Sequence, residues 1–179
     1  MTLPHLQPAS LSQAQLLATL AAQTLAETYC PQEIDPDSAL YIGRNLSVQA
    51  FEAILKQPAA FPLIWLAYAQ SGEAVGYMQL NRSYTPQLFE NQQVIQLKRI
   101  YVLRSHQQQK LGKALLAQAQ QLAIDQKMEG IWLICWTDNH QAIAFYKKNG
   151  FVEKGTHPFQ VGDTTYEDLI FYKSFSPTN

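Results

Sequence analysis

The chain has 179 residues, of which 47% are hydrophobic and 15% charged, so it suits one folded domain over 1–179 and excludes intrinsic disorder. With 13 Lys and Arg against 14 Asp and Glu, the net charge is -1, and nothing steers the surface toward nucleic acid or anionic lipid. Cys30 and Cys135 are too few for a disulfide framework or a zinc knuckle and point to a reducing, cytoplasmic setting.

The opening MTLPHLQPAS has no Lys or Arg and lacks the pattern of a signal peptide. Ser10 or Ser12 caps a predicted helix whose apolar face is Leu16, Leu17, Leu20, Ala21 and Leu25. After Tyr29, CPQEIDPDS reads as an acidic loop, followed by a helical turn around Ala39 to Gly43. Ser47 then caps a helix with Val48, Phe51, Ile54 and Leu55 on one face, ending before Pro58. The apolar run 59–69 is broken by Pro62 and falls well short of the roughly 20 residues that cross a bilayer, so it reads as a strand. Leu63 to Gln70 and Ala74 to Leu80 flank Ser71-Gly72, a hairpin turn.

Gln93 to Leu103 is a third strand, and a helix from about Gln109 to Lys127 carries Leu111, Ala114, Leu115, Ala119, Leu122 and Ala123 on one stripe. Ile131 to Trp136 is a continuous apolar strand, as expected for one covered on both faces. Asn139 to Asn149 is helical, ended by Gly150, with Ala142 and Phe145 toward the core. Phe151 to Lys154 and Tyr166 to Phe171 supply two more strands. The order predicts an α/β (α+β) fold: a mixed, mostly antiparallel twisted sheet flanked by helices, with a parallel pair made by the strands near 93–103 and 131–136.

Two segments carry chemistry. In Ile100 to Leu116 a strand runs through a polar loop into a helix, whose N-terminal amides and nearby Lys110 and Lys113 favour a bound phosphate or diphosphate. In Trp136 to Phe151, Asn139 either caps the helix or meets a ligand, and Tyr146 lies about two turns along the same side. His5, His106, His140 and His157 show no metal-ligand spacing, so no metal is expected.

Together these segments resemble the GNAT superfamily of N-acetyltransferases. The acyl-CoA loop pattern Q/R-x-x-G-x-G/A falls on Gln107 to Gly112, and N-x-x-A-x-x-F-Y-x-x-x-G-F is matched by Asn139, Ala142, Phe145, Tyr146, Gly150 and Phe151. Within the superfamily, NLSVQAFEAIL, QLKRIYVLRSHQQQKLGKALL and HPFQVGDTTYEDLIF look most like the PaiA-type branch, which includes spermine/spermidine acetyltransferases. The resemblance implies an acetyl-CoA-dependent acyltransferase acting on a primary amine of a small, polyamine-like molecule by direct attack through a tetrahedral intermediate. The alternatives are a non-catalytic acyl-CoA-binding module and a protein or peptide amine as acceptor. The resemblance implies that Ile100, Val102 and Leu103 pair with pantetheine in a splay beside Ile131 to Trp136. It also implies that the amides of Gln108, Gln109, Lys110, Leu111, Gly112 and Lys113 cradle the pyrophosphate. Asn139 would then contact pantetheine, with Tyr146 near the sulfur as general acid. Strand edges at the C-terminal segment would allow a homodimer.

Two positions depart from the family pattern. Lys110 replaces a glycine, and is expected to belong already to the helical turn, where its amide still binds and its ammonium helps. Gln96 stands where many members carry a glutamate base; it accepts no proton at neutral pH, so a relayed water or a carboxylate among Glu33, Asp35, Asp37, Glu167 and Asp168 takes that part.

Overall fold

The computed structural model of the chain describes residues 4–30, 32–57, 63–161 and 164–175. In chain order the elements are β1 (His5–Pro8), α1 (Ala14–Tyr29), α2 (Pro36–Asn45), α3 (Val48–Leu55), β2 (Ile64–Tyr68), β3 (Ala74–Asn81) and β4 (Val94–Val102). They continue with α4 (Leu111–Asp125), β5 (Gly130–Cys135), α5 (His140–Lys148), β6 (Val152–Val161) and β7 (Thr164–Ser174). The strands form one 7-stranded sheet ordered β1-β2-β3-β4-β5-β7-β6. β4 and β5 run parallel, as expected, from Val94↔Gly130 to Gln96↔Trp132, whereas β1–β2, β2–β3, β5–β7 and β6–β7 are antiparallel. The chain divides into two compact units, 1–79 with 99–119 and 80–98 with 120–179.

In the first unit, α1 buries Leu17, Leu20, Ala21 and Leu25 as expected, but Leu16 is 39% exposed. The buried stripe instead runs through Thr24, whose hydroxyl donates back to the Leu20 carbonyl at 2.8 Å and so needs no water. The acidic loop after Tyr29 is shorter than expected and the helical turn longer. Asp35 accepts from the Ser38 amide and Pro36 occupies the first helical position, so α2 starts ahead of Ala39 and takes in Asp37. Ser47 caps α3 as foreseen, accepting from the Ala50 amide at 3.2 Å, and Phe51 packs edge-on against Tyr77 of β3. The buried Arg99 of β4 donates to Gln79, Tyr41 Oη and the Asn45 carbonyl, which pins α2 to the sheet. β1 is unforeseen: it ends in a proline, shows no apolar alternation, and survives as an edge strand on β2. Gly72 supplies the positive φ of the hairpin turn, and 59–62 of the apolar run lie outside the described residues.

In the second unit, Phe89, Trp132 and Ile170 form a buried cluster joined by Val94, Ile134 and Tyr172. Alternation along β7 puts Phe171 on the opposite face, where Tyr146 meets it and packs in turn on Phe151. Asn139 caps α5 through the Ala142 amide, and Gly150 at φ +84° ends the helix as predicted. Ala142 and Phe145 are only half-buried, because the residue aimed at the core is Tyr146. β6 and β7 are far longer than the strands expected there, since they pair with each other over Val152↔Tyr172 to Val161↔Thr164 and need no apolar alternation of their own.

A Cβ added at Gly76 would lie 2.8 Å from the Tyr101 carbonyl oxygen and 3.1 Å from Val102 Cγ2. Gly76→Ala should therefore lower stability by about 1–3 kcal/mol, the usual cost of overpacking, as read by urea denaturation.

Candidate active site

The first unit carries a strand-to-helix turn. The Leu103 amide donates to the Val75 carbonyl at 2.8 Å, so the strand's alternation turns the N–H and C=O of Val102 away from β3. Gln107 Nε2 donates to that Val102 carbonyl at 3.3 Å. The exit of β4 is tied down by α1: the Arg104 amide donates to Glu27 Oε2 at 2.7 Å, and the Arg104 guanidinium donates to the Glu27 carbonyl. Ile100 and Val102 are half-buried, Leu103 is buried, and Gln108, Gln109 and Lys110 are exposed.

Lys110 does not belong to the helical turn. It and Gln108 both sit at φ +64°, in the left-handed region, and Lys110 is the residue before α4 whose carbonyl accepts from the Ala114 amide at 3.0 Å. The chain needs this left-handed step to turn successive amides to one side before the helix starts, as in anion-binding nests. The amides of Leu111, Gly112 and Lys113 follow in the first turn of α4, where no intrahelical acceptor exists. Buried Leu111 anchors the turn, while Lys113 is exposed. Backbone donors, a helix N-terminus and two lysines fit the diphosphate of coenzyme A.

The second unit holds Asn139 and Tyr146. Asn139 Oδ1 is used by the cap, where it accepts from the Ala142 amide at 3.0 Å. Tyr146 is 8% exposed, its ring set among Phe145, Phe151 and Phe171 at 5.4, 5.6 and 6.1 Å. Gln96 is buried, and its Oε1 accepts from Asn81 Nδ2 at 2.9 Å.

Of the carboxylates that could replace a base at Gln96, Asp35 is held below the usual range by hydrogen bonds from the Ser38 side chain and backbone, in keeping with a cap. Asp168 behaves oppositely. It is 9% exposed, and burial pushes its carboxyl up although His157 pulls it down. Burial, then the Asp168 charge, pushes the Cys135 thiol up to about 12, so this cysteine offers no thiolate for an acyl-enzyme. Cys30 is half-buried at the end of α1.

Sequence reasoning missed Glu27 as an anchor, His157 as a neighbour of Asp168, and Tyr84 beside His157 and Trp132. Only the β6–β7 register, which sets His157 opposite Asp168, brings that pair together. Among the described residues no group of His, Cys, Asp and Glu gathers to hold a metal ion, and no helix is long and apolar enough to cross a membrane.

The family model described as acetyltransferase (GNAT) matches residues 22–151. An uncharacterized N-acetyltransferase of Mycobacterium tuberculosis is 27% identical over 164 residues, covering 91% of this chain and 98% of that protein. Another, from the pepI 3' region of Lactobacillus delbrueckii subsp. lactis, is 23% identical over 155 residues, covering 87% and 88%. The crystal structure of PaiA N-acetyltransferase from Thermoplasma acidophilum in complex with coenzyme A superposes with a TM-score of 0.78 at 19% identity, covering 97% of this chain and all of that one. A GCN5-related N-acetyltransferase from Rhodopseudomonas palustris gives 0.73 at 15% identity, covering 98% of each. At these identities the structural likeness speaks to the fold.

A left-handed lysine costs about 1–2 kcal/mol, partly offset by glycine's greater freedom when unfolded. Lys110→Gly should raise the melting temperature by about 2 °C, measured by calorimetry. For Asp168 the folded carboxyl titrates above its ordinary 3.8. Folding therefore loses stability as pH rises from 3.8 through the raised value. Asp168→Asn removes that loss, so its gain in urea denaturation should be larger near neutral pH than in strong acid.

Proposed function

We propose, for a chain that belongs to the acetyltransferase (GNAT) family, that acetyl passes to a primary amine of a small, polyamine-like acceptor, as in the PaiA-type branch. As a family member the chain is an acetyl-CoA-dependent N-acetyltransferase; the acceptor class and the part of each residue are what we add. The observation that supports this reading is the run of amides from Gln108 to Lys113, turned by two left-handed residues into the first turn of α4 and flanked by Lys110 and Lys113.

Those amides hold the pyrophosphate, with the lysine ammonium groups adding charge. Val102, whose peptide groups point away from β3, pairs with the pantetheine arm as an added strand would. Leu103 supports it from a position where its own amide is committed to Val75, and Ile100 lines the same stretch. The Asn139 amide nitrogen donates to a pantetheine carbonyl. Acetyl-CoA supplies an activated thioester, and the Val102 amide region offers an N–H to the oxygen that gains charge as the amine attacks.

An alkylammonium has a pKa of about 10.4 and must lose a proton before it attacks. Gln96 has no capacity for that proton, and its carbonyl is already engaged by Asn81, so the proton leaves through a relayed water to solvent. With Cys135 kept as a thiol, the acetyl group goes directly to the amine. Tyr146 then protonates the departing thiolate.

Tyr146→Phe should lower kcat by about ten-fold or more with little change in acetyl-CoA affinity. Steady-state thiol release over a panel of amines, beside calorimetric titration of coenzyme A, checks both. An unchanged kcat removes Tyr146 from the mechanism, and turnover of other amines with none of spermidine or spermine rejects the polyamine acceptor.

A further inference from the structure

We propose that Asp168, His157, Tyr84 and Trp132 form an ammonium-binding subsite that selects cationic acceptors, an inference that rests on the N-acetyltransferase reading above. The starting observation is a set of buried polar atoms without hydrogen-bond partners. Asp168 Oδ1, His157 Nδ1 and Trp132 Nε1 are all shielded from solvent and unpaired. A buried carboxylate oxygen left unpaired is costly, and such an atom in a folded protein calls for a ligand or ordered water.

The three belong to one region of the second unit. Asp168 and His157 face each other across the β6–β7 hairpin. Alternation along β7 puts Asp168 on the same face as Ile170, which packs with Trp132, and Tyr172, which packs against the same cluster. Tyr84 bridges the group: its ring lies 5.8 Å from that of Trp132 and 6.4 Å from that of His157, and its hydroxyl is 3.4 Å from His157 Nε2. Tyr84 is itself 45% exposed and forms the solvent-facing side of the group.

Chemistry selects the ligand. An anion would be repelled by Asp168, and a neutral apolar group would leave Oδ1 unpaired. A protonated amine supplies the missing donor and charge, and the Tyr84 and Trp132 rings favour a cation nearby. The charged side chain that acts on the Asp168 carboxyl is His157. The groups facing it are His157 on β6 and Cys135 on β5, the latter a neutral thiol. Burial holds the empty carboxyl above its usual range, and a bound ammonium lowers it again. The KM for a cationic acceptor should therefore fall as pH rises through that range.

The test is calorimetric titration of spermidine into the coenzyme A-loaded protein, with steady-state kinetics beside it. Asp168→Asn should weaken spermidine binding about ten-fold or more and raise its KM equally. In that variant the KM for acetyl-CoA should not move. Asp168→Glu should recover part of the affinity. Tyr84→Ala, at an exposed position that tolerates change, should weaken binding about three-fold. Spermidine affinity equal to wild type in both Asp168→Asn and Tyr84→Ala overturns the subsite, as does a wild type that acetylates other amines but binds no spermidine. Spermidine bound through Asp168 with no amine ever acetylated supports the subsite and sinks the polyamine-transfer reading instead.

Discussion

The first unit depends on where β4 stops. The amide just past its end, that of Leu103, is committed to β3, and the next residue, Arg104, is clamped by both its backbone and its guanidinium to the C-terminal part of α1. Charge-assisted bonds of this kind hold a backbone in one place more firmly than packing alone. Because the strand ends at a fixed point, the turn that follows can hold two residues in left-handed conformations without unravelling. The amides at the start of α4 inherit their direction from that anchor. Loosening Glu27 would disturb a group of donors it never touches.

Much of this was legible from residue order. The caps Ser47 and Asn139 and the stop at Gly150 are short-range signals, and each is realised where the local chemistry placed it. So is the parallel pairing of β4 with β5, which follows from an intervening helix. What escaped was set by partners far away in sequence. β1 exists because β2 has an open edge, and the full lengths of β6 and β7 come from their pairing with each other. Lys110 shows the same limit at the site, since nothing in a lysine announces a positive φ that glycine would adopt without strain.

The acidic side chains of the protein separate by environment rather than by residue type. Asp35 is stabilised as an anion by the helix it starts, Glu27 is engaged by Arg104, and Asp168 lies buried beside a histidine. Reading the chain alone leaves them equivalent, because solvation and hydrogen bonding decide which carboxylate is strained in its charged form.

The two cysteines differ in a way that is useful at the bench. Cys135 is buried and its sulfur stays protonated far into the alkaline range, whereas Cys30 is partly open at the end of α1. Maleimide reagents need an accessible sulfur, so labelling would fall on Cys30 and spare the interior one. A fluorophore attached there would report on the end of the helix that grips Arg104, with no need for an engineered attachment point.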